Sequence, residues 1–377
     1  MTFDTYDLVF EGGGAKGSVF VGALEVFFAA GLKTRRLIGT SAGAITATLL
    51  AAGYTPDEML AAVNEKLPGT DTPRFSSFMD IPPKADFNDE QIEQSATMQA
   101  FKEAHVPNLF HTEERLVSLL LDGPHYRQLF SFNECGGFFA GDAFLAWIRE
   151  KLAAKGVAAG ATLAEMFAQT GVDLSLVATD TTDVEMLVLN HRTAPGVPVE
   201  LAVRMSMSIP FVWREVVWQE AWGQYRGHGK QNAEGGGGNI IVDGGVLSNF
   251  PIHLIADPAP EDMQDIMGDT DPNAAGNLGL LIDENLAVAG AEATPKPPHK
   301  ISDLRSIQRV GRLVDTMMGA QDKSVIKLHE QEVCRLPAMG YGTTEFGMSQ
   351  ERLNALIGAG RQAMRDYLKG LGITPND

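Results

Sequence analysis

Leu37-Ile38-Gly39-Thr40-Ser41-Ala42-Gly43, followed by the apolar stretch Ala44 to Ala52 and a stop at Gly53, decides how this chain is read. A short apolar run ends at a glycine, a serine stands among small residues, and an apolar segment then begins. That is the pattern of a strand turning sharply into a buried helix. The same pattern comes just before it: Thr5 to Phe10 reads as a strand, Gly12-Gly13-Gly14 as a turn, and Ser18 to Ala30 as a helix stopped by Gly31. Strand, helix, strand, helix in this order requires parallel pairing and right-handed crossovers, hence an α/β fold.

Further along, Thr55-Pro56-Asp57-Glu58 is a capping box, Asp142 is placed to cap a helix through Leu152, and Thr162 with Glu165 forms a second box. Leu174 to Ala178, Met186 to Leu189, Phe211 to Trp218 and Ile240 to Val242 read as strands. Thr72 to Phe87 is an irregular connection, either a lid or a surface loop, in which Phe75, Phe78, Met79 and Ile81 form an apolar interfacial patch or anchor the loop. Two segments read as solvated insertions: residues 223–238, with seven glycines, and residues 257–271, with six acids and no base. Helical patterns cover Ser302 to Glu332 and Ser349 to Leu371. No fixed repeat and no linker between two cores is visible, so residues 1–377 are expected to form one domain with a C-terminal helical extension over about 300–372.

The chain has 377 residues, 44% hydrophobic and 21% charged, the composition of a globular protein. A net charge of −18 supplies no field for phosphate backbones, so nucleic acid is excluded as an expected partner. Lys33, Arg35 and Arg36 are the candidate basic patch that would offset this charge at an anionic bilayer. Two cysteines, Cys135 and Cys334, with no C-x-x-C pair, provide neither a disulfide framework nor a zinc site and fit a reducing cytoplasm. The N-terminus carries acids where a signal peptide has bases, and no apolar run approaches the ~18 residues a spanning helix needs. Membrane contact is therefore expected to be peripheral.

Gly39 to Gly43 fits G-x-S-x-G, and 40 glycines and 15 serines in the chain supply about 0.17 such matches by chance. At a strand-to-helix turn, Ser41 would sit in a strained backbone at a helix N-terminus, where the macrodipole favours an attacking oxygen and the oxyanion it creates. A plain N-cap serine explains the same residues, and the two readings carry comparable weight. Gly12-Gly13-Gly14-Ala15-Lys16-Gly17 matches G-x-G-x-x-G. No acidic residue ends the next strand to bind a ribose, however, and consecutive glycines suit a nest of N–H groups aimed at one small anion. Parallel neighbouring strands would bring Gly13 and Gly14 beside Ser41, an oxyanion-hole arrangement. Lys16 either assists anion stabilisation or is solvated, and solvation is the favoured reading. Asp243-Gly244-Gly245 follows the buried run Ile240-Ile241-Val242, which places Asp243 as a catalytic carboxylate or as a turn-forming residue. His253, ten residues on, leaves a Ser–His–Asp triad open on spacing.

Taken together, Gly12 to Gly17, Gly39 to Gly43 and Asp243 to Gly245 resemble the patatin-like phospholipase family. Gly136-Gly137-Phe138-Phe139, Ala178-Thr179-Asp180, Ser206 to Pro210 and Asn249-Phe250-Pro251 extend the resemblance over about residues 5–255. It implies a three-layer α/β/α sandwich with a mainly parallel sheet, to which C-terminal helices are added. It also implies lipid acyl hydrolysis by a Ser–Asp dyad without metal or cofactor: Ser41 as nucleophile, Asp243 as base, and Gly13 and Gly14 amides as oxyanion donors. Gly12, Gly17, Gly39, Gly43, Gly244 and Gly245 complete the motifs. The expected substrate is a phospholipid or lysophospholipid ester at a membrane surface. Acyl transfer by the same dyad and a non-catalytic lipid- or nucleotide-binding module are the rivals.

Overall fold

The computed structural model describes residues 3–103, 120–226, 237–255, 261–268, 274–291, 316 and 327–374. The strands are β1 (Thr5–Phe10), β2 (Lys33–Thr40), β3 (Gly137–Phe139), β4 (Asp173–Asp180), β5 (Glu185–Leu189), β6 (Phe211–Trp213), β7 (Val216–Val217), β8 (Ile240–Asp243), β9 (Gly276–Ala287) and β10 (Val333–Met339). Eight of them form one sheet in the order β10-β9-β1-β2-β4-β8-β7, with β5 paired to β4. From β10 to β4 every pairing is parallel, whereas β5, β8 and β7 enter antiparallel.

Alternation along the strands divides the core between the two faces. On β1, Leu8 and Phe10 join one buried cluster and Val9 the other; Leu37 against Ile38 on β2 and Leu280 against Leu281 on β9 repeat the split. Strands buried on both sides are what a parallel sheet between helical layers requires. The first face is covered by α1 (Val19–Ala29), α2 (Ala42–Ala51), α3 (Pro56–Val63), α4 (Asp142–Ala154), α5 (Val199–Ser206) and α6 (Gln350–Gly370). The second is covered by the turn Ile252–Leu254 and the helix Glu261–Met267. Among the described residues no helix is long and apolar enough to cross a membrane.

Several expectations change. The C-terminal region is not only helical, because β10 forms an edge of the main sheet and β9 lies inside it, both beyond residue 255. Most of Ser302 to Glu332 lies outside the described residues, although Glu330–Glu332 is a short 3-10 turn. The acidic segment 257–271 is not simply solvated, since Met263, Ile266 and Met267 are buried. Of the glycine-rich segment, residues 227–236 lie outside the described residues. Phe211 to Trp218 is two strands: β6 pairs with β3 in a separate two-stranded sheet, and β7 pairs with β8. Asp142 does not cap α4. Asp80 does so from the Thr72–Phe87 connection, accepting the N–H groups of Gly141, Asp142 and Ala143 at 2.8, 3.0 and 3.1 Å.

Candidate active site

Strand register brings Ser41 and Asp243 together. β5 occupies one edge of β4 over Leu176–Asp180, so β2 and β8 share the other edge. On that edge Thr40, the last residue of β2, pairs with Val177, and Asp243, the last residue of β8, pairs with Ala178. The chain leaves the sheet at Ser41, and β8 arrives antiparallel in the space vacated.

Ser41 is buried, with φ 53° and ψ −118°, and its side chain makes no capping hydrogen bond to α2. An N-cap residue adopts extended dihedrals and accepts an N–H from its own helix, so the plain N-cap reading does not describe Ser41. A non-glycine residue in this region carries strain that its surroundings must hold. Part of the hold is Ser206, whose hydroxyl accepts the Ser41 N–H at 3.0 Å and donates to the Val177 carbonyl at 2.6 Å. Two residues on, the Ser208 carbonyl accepts the Asp243 N–H at 2.9 Å. Buried Arg204 braces this turn by donating to Ser208 Oγ and to the Ala140 carbonyl. Ser206 and Ser208 stood in the sequence as resemblance only, because their bonds run across three strands.

Asp243 is fully buried. Its Oδ1 accepts the Gly245 N–H at 2.8 Å, which is the turn-forming role read from the sequence. Its Oδ2 has no well-formed hydrogen-bond partner among the described residues. Burial pushes its pKa up to about 7, against the lowering effects of the Gly245 amide and the Ser41 hydroxyl. Ser41 thus lies near enough to act on the carboxylate while its approach falls short of a full hydrogen bond, a geometry common before substrate draws such pairs together. His253 sits in the turn Ile252–Leu254, whose flanking residues pack into the cluster on the opposite face of the sheet.

The glycine loop crosses beside Ser41. The Gly12 N–H donates to the Asn249 carbonyl at 3.0 Å and the Gly12 carbonyl accepts from Asn249 Nδ2 at 3.1 Å, while the Ala15 N–H goes to the Thr343 carbonyl at 2.9 Å. Between these ties, the Gly13 and Gly14 amides donate to no other group among the described residues. Gly14 has φ +55°, and a Cβ there would lie 2.1 Å from the Thr343 carbonyl oxygen. Gly17 packs on Ala42, Gly39 on the Gly43 carbonyl, Gly43 on the Phe10 carbonyl and Gly244 on the Val177 carbonyl, so these four glycines serve close packing. Gly245 supplies the N–H to Asp243. Lys16 is buried and paired with Glu284 on β9, which corrects its reading as solvated. The loop is therefore held by β9 and by Thr343, from sequence that no motif marks.

Ser41 opens into a cleft with apolar walls. Ile45 and Leu49 from α2, Met59 and Val63 from α3, Phe144 and Trp147 from α4, and Met207, Ile209, Trp213 and Phe346 line it. Phe75 and Phe78 turn inward, their ring centroids 5.0 Å apart, rather than forming a patch with Ile81, which is exposed. The candidate basic patch loses both its arginines: Arg35 Nη2 lies 2.6 Å from Asp7, and buried Arg36 lies between Asp7 and Asp173.

Residues 8–256 match the Patatin-like phospholipase family, two thirds of the chain and all three motifs. The chain belongs to the patatin-like phospholipase family. It is 29% identical over 370 residues to YqhO of Bacillus subtilis (strain 168), which covers 96% of this chain and 98% of YqhO. It is 21% identical over 247 residues to the probable lipid hydrolase 463L of Invertebrate iridescent virus 6, covering 66% of this chain and 62% of 463L. Among solved structures it is similar to VipD from Legionella pneumophila (TM-score 0.44, 16% identity, 97% of this chain and 67% of VipD). It is also similar to ExoU in complex with SpcU from Pseudomonas aeruginosa (TM-score 0.37, 17% identity, 97% of this chain and 52% of ExoU). In this patatin-like chain the family match ends at residue 256, so β9, Thr343 and Phe346 are contributed from outside it.

Proposed function

We propose that this protein is a lipid acyl hydrolase that cleaves the carboxyl esters of phospholipids or lysophospholipids through a Ser41–Asp243 dyad. The observation that supports this reading most is the meeting of a strained, buried serine with a desolvated carboxylate at the base of an apolar cleft. Asp243 takes the Ser41 proton as Oγ attacks the ester carbonyl carbon. The carbonyl oxygen becomes an oxyanion facing the Gly13 and Gly14 amides, at the N-terminal end of α2. Collapse breaks the ester C–O bond, the departing alcohol takes the proton from Asp243, and the acyl group remains on Ser41. Water then loses a proton to Asp243 as it attacks the acyl carbon, and as the acyl C–Oγ bond breaks Asp243 returns that proton to Ser41 Oγ and the fatty acid leaves. A base with a pKa near neutrality suits this work far better than an ordinary carboxylate near ~3.9. The experiment is covalent labelling with a fluorophosphonate probe, located by peptide mass analysis, followed by product analysis from mixed lipid vesicles. Label on Ser41 with release of free fatty acid is expected; label elsewhere, or none, overturns the reading.

Asp243 must be ionised to accept a proton. For the soluble ester p-nitrophenyl butyrate, kcat/KM is therefore expected to rise with pH, reach half its maximum at about 7 and level off above. A profile already flat from pH 5 upward would remove Asp243 as the base.

Gly14→Ala places a Cβ against the Thr343 carbonyl in a left-handed backbone, which costs ~1–2 kcal/mol before the clash is relieved. Moving one oxyanion donor typically costs ~10²–10³ in kcat. A lowered Tm together with a kcat loss of that size, and a KM changed far less, is expected from thermal melts and steady-state kinetics.

A further inference from the structure

A second pocket, open to solvent, shares Ala15, Ser18, Val63, Phe75 and Phe346 with the apolar cleft. The two adjoin along these shared residues, with the two phenylalanines as the sill between them. The lining chemistry changes across it. Beyond the sill come Asn64, Lys66, Asp71 and Gln350. A molecule that occupies both sides is an amphiphile, apolar in the cleft and polar beyond the sill.

Resting on the reading of Ser41 as the ester-cleaving nucleophile, we propose that this second pocket receives the headgroup of the lipid, and that it fits a zwitterionic phosphodiester-ammonium headgroup. Lys66 Nζ lies 2.9 Å from Asp71 Oδ1, with the two side chains 49% and 99% exposed. An ion pair this open contributes little to stability and parts readily. Separated, it presents one ammonium for a phosphate and one carboxylate for a headgroup cation, a few ångströms apart. Glu65, on the same wall, is already paired with Arg74 and Lys151 and leaves no net negative charge uncompensated there. Asn64 and Gln350, bonded to each other at 2.6 Å, add donors and acceptors without charge. An anionic headgroup would satisfy Lys66 and leave Asp71 facing like charge, and a neutral diol would leave the Lys66–Asp71 pair closed and gain no ionic contact. The wider surface agrees, since the net charge is −18 and both arginines of the candidate basic patch are taken up in ion pairs.

The test uses the full chain with lysophosphatidylcholine, lysophosphatidylglycerol, 1-monoacylglycerol and p-nitrophenyl butyrate. Lys66→Met is expected to lower the ratio of kcat/KM for lysophosphatidylcholine to that for monoacylglycerol about tenfold, mainly through KM, as loss of one charge-assisted hydrogen bond entails. Asp71→Asn is expected to lower the lysophosphatidylcholine to lysophosphatidylglycerol ratio by a similar factor. Both substitutions fall on exposed side chains, so folding is not at stake. Ratios that stay within about twofold of wild type for both variants overturn the proposal. Direct binding of lysophosphatidylcholine to Ser41→Ala protein, with and without Lys66→Met, separates the two readings. A loss of affinity from Lys66→Met supports the headgroup pocket even if fluorophosphonate labelling puts the nucleophile elsewhere, whereas unchanged affinity with Ser41 labelled refutes the pocket alone.

Discussion

Ser41→Ala is expected to fold like the wild type and to lower ester hydrolysis to the buffer background, a loss on the order of 10⁴–10⁶-fold. The large effect follows from the position. Ser41 is held at φ 53° by its own N–H bonded to Ser206, a tie that alanine keeps because it uses the backbone. The hydroxyl makes no capping bond to α2, so its removal takes away no helix stability. What alanine removes is the atom that would carry the acyl group. The check is p-nitrophenyl butyrate and lysophosphatidylcholine turnover by purified variant, with Tm measured alongside. Turnover above background in a variant with unchanged Tm would place the nucleophile elsewhere.

Asp243→Asn should be nearly as damaging, because an amide cannot take the serine proton. Its effect on stability should run the other way. In the unfolded chain an aspartate titrates near ~3.9, whereas in the fold burial lifts Asp243 to about 7. Between these values the native state binds the proton and the unfolded state does not. The contribution of this group is thus fully present below the unfolded value and lost as pH rises through about 7. Across that window each step of one in pH weakens the fold by about 1.4 kcal/mol. Asparagine removes that dependence. The Tm of Asp243→Asn relative to wild type is expected to increase from pH 5 to pH 8, while kcat stays near background at both. His253→Ala is the control: on the far side of the sheet from the cleft, it should keep activity within about tenfold. A collapse of rate in His253→Ala with Tm unchanged would replace the dyad by a triad.

The order of the motifs and the elements they join were legible because each depends on neighbours in the chain. Thr5–Phe10 as β1, the capping boxes at Thr55 and Thr162, and α6 starting after Ser349 are written in local periodicity, caps and stops. Strand β9 was readable in principle. Leu278-Gly279-Leu280-Leu281-Ile282 is the continuous apolar run of a strand buried on both faces, although it sits between segments whose composition points to solvent.

Signals between near neighbours in the chain specify the α/β class, the strand-turn-helix around Ser41, the glycine loop before it, and Asp243 at a strand end. That these parts meet is a product of the assembled fold. Ser41 and Asp243 are 202 positions apart in the sequence, and only the shared edge of β4 puts Thr40 beside Val177 and Asp243 beside Ala178. Packing likewise buries Lys16 against Glu284, makes Asp80 rather than Asp142 the cap of α4, and brings Thr343 and Phe346 to the site from beyond the family match. The difference is one of range. Propensity, periodicity and capping act within a few residues, whereas burial, desolvation and the raised pKa of Asp243 depend on whichever groups packing brings into contact.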